Sequence, residues 1–212
     1  MKRFVAAIAL SALALGSACA AAIPGLYNTG AGASGTVDQH YGLMVTAGDE
    51  WSHQAWISDD SQVRGEWLDN SSTSKWITPY NSASASLDPF NTGSYLYSLD
   101  FNLTADQADV ASFSARVAGD NEVGVYLNGV LLANATSFSS WTDFSANSGF
   151  VTGVNSLHFV VINYAQSDGN PSGLRVEFLD SNAGVVSEPE TYAMMLGGLA
   201  LLGAVVRRKS RA

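Results

Sequence analysis

Three histidines, nineteen acidic residues and one cysteine limit the chemistry open to this 212-residue chain. His40, His53 and His158 do not fall into a spacing such as H-E-x-x-H, which would set two imidazoles on one helix face for a metal. The chain has no G-x-S-x-G nucleophile elbow and no glycine-rich phosphate loop. Carboxylates are plentiful, but no two stand apart as an acid–base pair for glycoside cleavage, so the expectation is a protein that is not an enzyme. Aromatic residues are better placed. Trp51, Trp56, Trp67, Trp76, Tyr80 and Trp141 lie in polar stretches or at the ends of apolar ones, where ring faces can stack on sugars while Asn, Asp and Arg hold hydroxyls. Trp56 and Trp67 are the candidates for such a glycan surface; the alternative is that tryptophans fill the core. Asp120, Asn121 and Glu122 put three hard oxygen ligands in one turn, suited to a structural calcium, the only cofactor the residues suggest. The same three residues also suit an Asx turn that feeds the next strand.

A second kind of chemistry is written at the end of the chain. Ser187-Glu188-Pro189-Glu190 is a short polar signal that Pro189 keeps out of a helix. Thr191 to Val206 follows without a charge, and Arg207, Arg208, Lys209 and Arg211 close the chain. As a helix this apolar run would be about 24 Å long against a hydrocarbon core of about 30 Å. Snorkelling basic side chains cover part of the difference, so the segment is expected to be a weak, temporary transmembrane anchor. The order Glu-Pro, Gly-rich apolar run and basic cluster resembles the PEP-CTERM sorting signal of exported bacterial proteins. It departs from the usual pattern in having Ser187 where a proline precedes the glutamate. The resemblance implies recognition and cleavage at Ser187, Glu188, Pro189 and Glu190 by an exosortase/archaeosortase-type transpeptidase. It covers only the tail, so it implies an address and not an activity.

The other end agrees with that address. Lys2 and Arg3 precede an apolar run from Phe4 to Leu15, and Ala18-Cys19-Ala20 forms an A-x-A cleavage site. This reads as a signal peptide over residues 1–20, handled by the general secretion machinery and signal peptidase. Cleavage after Ala22 and a lipidated Cys19 are the alternatives. Three segments result: signal peptide 1–20, body 21–184 and sorting segment 185–212. Six of the ten basic residues lie in the ends, which leaves the body four against seventeen acids, a net charge of −13. A body so acidic has no basic stripe for phosphates, which excludes nucleic acid as a partner. Without its signal peptide the chain also has no cysteine, so packing alone must hold it.

The body must position whatever the aromatic residues do, and its periodicity is two. Tyr95, Tyr97, Leu99, Phe101 and Leu103 alternate with polar residues, as do Tyr41/Leu43/Val45, Phe113/Ala115/Val117, Leu157/Phe159/Val161 and Leu174/Val176/Phe178. Val123, Val125 and Leu127 run into Asn128-Gly129, a strong hairpin signal because both residues tolerate positive φ. Thr104 to Asp109 allows one helical turn, and residues 48–70 are expected to be a long, partly packed loop. About eight strands with almost no helix imply an all-β antiparallel sandwich. The acidic turn, strand and Asn-Gly hairpin from Ala118 to Gly129, with the segments Ser148–Val161 and Asn170–Glu177, resemble galactose-binding-like jelly rolls. That resemblance implies the same sandwich, flanked by the signal-peptide and sorting helices. The expectation is therefore an exported surface or matrix protein, structural or associated with exopolysaccharide. A carbohydrate-binding module is the alternative, and a secreted glycoside hydrolase ranks below both.

Overall fold

The computed structural model describes residues 21–48, 53–59, 61, 65–184, 196–203 and 207. Within residues 21–184, which form a compact unit, ten strands and one helical turn are seen among the described residues. The strands are β1 (Val37–Ala47), β2 (Gln54–Ile57), β3 (Ile77–Thr78), β4 (Gly93–Leu103), β5 (Ser112–Asp120), β6 (Glu122–Leu127), β7 (Val130–Ala135), β8 (Thr142–Ala146), β9 (Gly153–Asn163) and β10 (Gly173–Asn182). All the strand pairs are antiparallel, in the order β7-β6-β9-β4-β1-β2-β3-β10-β5-β8. The all-β antiparallel class expected from the alternation is the observed one.

The order is one sheet bent double. β2 and β3, four and two residues long, carry it from a first layer (β7, β6, β9, β4, β1) to a second (β10, β5, β8). β7 and β8, the two ends of the order, lie against each other. Ring contacts join the layers through the middle: Phe144 of β8 meets Phe159 of β9 at 6.2 Å between centroids, edge to face. Phe150, in the loop before β9, meets Phe101 of β4 at 6.4 Å and Phe113 of β5 at 6.0 Å. Tyr95, Tyr97, Leu99, Leu157, Phe159, Val161, Leu174 and Val176 are all buried on the inner faces. Each large side chain buried in this way contributes about 1.5–3 kcal/mol.

Local signals explain the connections. Asn128 and Gly129 adopt φ 49° and 83°, the left-handed geometry that a two-residue hairpin needs. Asn128 also reaches beyond its turn: its amide donates to the Gly149 carbonyl and to Asn155 Oδ1, both at 2.9 Å. The expected helical turn is α1 (Ala105–Ala108), closed by a capping box between Thr104 and Gln107. One expectation is corrected. Residues 48–70 are not all loop, because Ala55 and Ile57 of β2 are buried with Trp56 half-buried between them. A strand of four residues among Gly, Ser and Asp is too short for its alternation to stand out. The two ends of the body meet, Ala21 and Gly184 pairing backbone to backbone at 2.9 Å. In the terminal segment residues 196–203 are helical and exposed. Among the described residues no helix is long and apolar enough to cross a membrane.

Candidate functional site

The outer face of the second layer carries the densest polar chemistry of the body. Leu174 and Val176 of β10 and Phe113, Ala115 and Val117 of β5 point into the core. Period two therefore sends Arg175, Glu177, Arg116 and Ala118 outward. Residues 65–76 fold over this face and bury it. Arg175 donates from Nε to Ser74 Oγ at 2.7 Å, from Nη1 to the carbonyls of Leu68 and Asp69, and from Nη2 to Ser71 Oγ at 3.1 Å. Glu177 Oε1 accepts from Ser74 Oγ at 2.7 Å, and Oε2 accepts from both Nε and Nη2 of Arg116. Burial alone would raise the Glu177 carboxyl. Donation by Ser74 and Arg116, with the charges of Arg116 and Arg175, outweighs burial and holds it below its usual range. Trp141 covers both guanidinium groups, 4.5 Å from Arg116 and 4.9 Å from Arg175. Arg175 and Glu177 are each 3% exposed at the side chain, whereas Arg116 is 35% exposed. Arg116 and half-buried Trp141 thus meet water, as do Asp69 and Ser71 at the edge of the network.

Asp120 ends β5 beside this network. Trp67 donates its indole N–H to Asp120 Oδ2 at 2.9 Å and packs against Trp76 at 4.4 Å between centroids. Asn121 Nδ2 donates to Asp120 Oδ1 at 2.6 Å. Burial outweighs these two bonds and pushes the Asp120 carboxyl up to about 6. Asn121 Oδ1 accepts the backbone N–H of Tyr164 at 2.8 Å, and Glu122 Oε2 accepts the Tyr164 hydroxyl at 2.6 Å. Tyr164 rises correspondingly above the usual phenol range through that bond and the Glu122 charge. The three residues proposed for calcium thus face protein donors.

The other candidates are distributed as follows. Trp67 is 4% exposed, so the expectation that it lies open for stacking is corrected: its ring is needed against Trp76 and over Gly173, where a Cβ would lie 2.8 Å from it. Trp56 is half-buried on β2, away from Trp67's cluster. Trp51 and the sorting residues Ser187, Glu188, Pro189 and Glu190 lie outside the described residues. His158 is half-buried on the outer face of the first layer, and His53 is exposed. Among the described residues no group of three or more His, Cys, Asp or Glu side chains converges to hold a metal. Trp141 is one of six aromatic candidates in the sequence. Only the pairing of Arg116 with Asp143 on β8 brings it over the arginines.

Comparison with known proteins bears on the tail more than on the body. No curated protein matches the chain. Among solved structures, TmCBM61 in complex with beta-1,4-galactotriose is similar at 13% identity and TM-score 0.39, over 66% of this chain and 86% of that one. A beta-glucosidase from Kluyveromyces marxianus is similar at 10% identity and TM-score 0.32, over 49% of this chain. A b-glucuronidase from Ruminococcus gnavus is similar at 12% identity and TM-score 0.31, over 67% of this chain. The chain spans only 13% and 30% of the lengths of these two glycosidases. Likeness this distant says nothing about ligand or activity. Residues 185–209, however, match the PEP-CTERM protein-sorting motif, so the chain is an exported protein with a C-terminal PEP-CTERM sorting signal.

Proposed function

We propose that this is a non-enzymatic protein of the cell surface or extracellular matrix, released from its tail by an exosortase-type transpeptidase and associated with exopolysaccharide. The observation that carries the reading is the match of residues 185–209 to the sorting motif, placed behind a β-sandwich body. The signal peptide takes the chain through the inner membrane. The apolar run holds it there until cleavage in the Ser187–Glu190 region. The body supports a structural or binding role over a catalytic one. Its buried carboxylates Asp38, Asp88, Asp120 and Glu177 each accept hydrogen bonds from protein donors and so stabilise loops and strand ends. Glycosidase action would need a carboxyl pair facing a common cleft, and each of these four is instead engaged by protein donors.

The test is the mass of the protein recovered from its native host. Loss of the residues after the Glu188-Pro189 region is the expected result. Finding Arg211-Ala212 still attached to surface protein would overturn the sorting step. Co-sedimentation of the same protein with the host's own exopolysaccharide tests the association, and release of reducing sugar from that polymer would overturn the non-enzymatic reading.

A further inference from the structure

Away from the arginine network, β10 borders two shallow concavities that share one residue. The first, about 430 Å³, is lined by Tyr27, Thr73, Phe178, Asp180 and Ser181 among others. The second, about 290 Å³, is lined by Ser112, Ser114, Ser145, Asn147 and Asp180. The pairing of β10 with β5 slips between Phe178 and Asp180, and this irregularity leaves both Leu179 and Asp180 exposed. Beyond it Asp180 stands opposite Ser114, and Ser114 in turn opposite Ser145. A row of carboxylate and two hydroxyls thus crosses three strands, and Asp180 joins it to the concavity that holds Tyr27.

Tyr27 is 45% exposed, yet it is held firmly. His40 stacks on one side of its ring at 3.6 Å between centroids and 14° between planes. Its carbonyl accepts the hydroxyl of buried Tyr41 at 2.7 Å. The next residue, Asn28, is tied by Oδ1 to the N–H of Phe178 at 2.7 Å and by Nδ2 to the Thr73 carbonyl at 3.2 Å. A solvent-facing aromatic ring fixed before any ligand arrives loses little freedom on binding, the property that makes a stacking platform effective. Hydroxyls, an amide and one carboxylate around such a ring match the alternating apolar faces and hydroxyl edges of a sugar chain. No lysine or arginine lines either concavity, and Asp180 adds negative charge to a body that is already acidic.

We infer that the furrow from Tyr27 through Asp180 to Ser114 and Ser145 is a binding site for an extended, electrically neutral polysaccharide. Tyr27 supplies the stacking face and Asp180 the central hydroxyl acceptor. This rests on the exopolysaccharide association proposed above and names its site and ligand class. Uronic-acid polymers are excluded by charge, because their carboxylates would lie against Asp180 with no cation to offset them.

The full chain in a sugar-free detergent tests this by affinity electrophoresis against galactan, glucan, mannan, polygalacturonate and the host's extracted exopolysaccharide. At least one neutral polymer should retard the wild-type chain and polygalacturonate should not. Tyr27→Ala and Asp180→Ala should each weaken retardation about ten-fold or more, while Tyr27→Phe keeps it. Asp180 is exposed, so its variant is expected to fold, and unchanged melting of both alanine variants guards against loss through unfolding. If a neutral polymer binds but neither alanine variant weakens it, the furrow is not the site although the association stands. If polygalacturonate binds as well as the neutral polymers, the ligand class is wrong. If no polymer binds the wild-type chain, the association and the furrow fall together.

Discussion

Trp67 and Asp120, 53 residues apart, meet in a single buried hydrogen bond of 2.9 Å, and that bond does not suffice to hold the carboxyl at its usual acidity. Asp120 ionises near 3.8 when free and near 6 in the folded body, because burial outweighs its two donors. Between those values the folded state holds a proton that the unfolded chain has released. The contribution of this group to stability is therefore full below about pH 4 and is lost as pH rises through about 6, on the order of 3 kcal/mol. We expect Asp120→Asn to remove that decline, so urea unfolding between about pH 4 and pH 7 should show the variant gaining on the wild type as pH rises. Glu177 acts in the opposite direction. Its lowered carboxyl contributes above the usual 4.5 and loses that contribution as pH falls through its folded value. The acid limb of both proteins should therefore be shared.

Glu177 is the carboxylate that pairs with two guanidinium groups, one of them 3% exposed. Glu177→Gln keeps the size but removes the Glu177 charge from beside buried Arg175 and from Arg116. The expected loss is about 3–5 kcal/mol of unfolding free energy. Arg116→Ala should cost only about 1–2 kcal/mol, because its side chain is 35% exposed and water can replace its partners. Equilibrium unfolding of the two variants gives the comparison directly; equal losses would mean that Glu177 does not hold the cluster together.

Gly93 touches Asp88, and a Cβ at that position would collide with both carboxylate oxygens. Asp88 is buried at φ 54° and accepts the Tyr95 hydroxyl at 2.7 Å and Asn163 Nδ2 at 2.8 Å. Gly93→Ala should displace the carboxylate from both donors and cost about 2–4 kcal/mol. Gly65→Ala, at a glycine with open space around it, is the control for collision, although its φ of 86° carries its own strain. Thermal melting that ranks Gly65→Ala as the more damaging change would refute this account.

Chelation should leave the melting temperature of the body unchanged. Asp120, Asn121 and Glu122 each direct a side-chain oxygen at a different protein donor: Trp67, the Tyr164 N–H and the Tyr164 hydroxyl. A calcium ion would have to displace all three. Differential scanning calorimetry with EDTA and with added calcium checks this, and a rise in melting temperature with calcium would reinstate the site.

Much of the sandwich was legible because a half-buried strand must alternate. Tyr95 to Leu103 and Leu157 to Val161 state their inner faces residue by residue, and Asn128-Gly129 states its turn by the φ values only such residues tolerate. The short strands β2 and β8 were harder to read, since four or five residues cannot establish a period against polar neighbours. The tail was legible for a different reason. A sorting signal is read in linear order by its processing machinery, so its chemistry lies in sequence.

The candidate sites of the body are not linear. Alternation told which residues of β5 and β10 face outward, but not that residues 65–76 would cover Arg175 and Glu177. Sequence alone puts Trp67 forward for a surface role ahead of Trp141. Packing against Trp76 and Gly173 buried the first, and the pairing of β8 with β5 set the second over two guanidinium groups. Tyr27 and Asp180, 153 residues apart, border one furrow only because the N-terminal segment pairs with β10. Local sequence thus determined the strands, their inner faces and the address of the protein. Only the tertiary structure, which makes distant residues neighbours, decided which polar and aromatic groups are buried supports and which are open to a ligand.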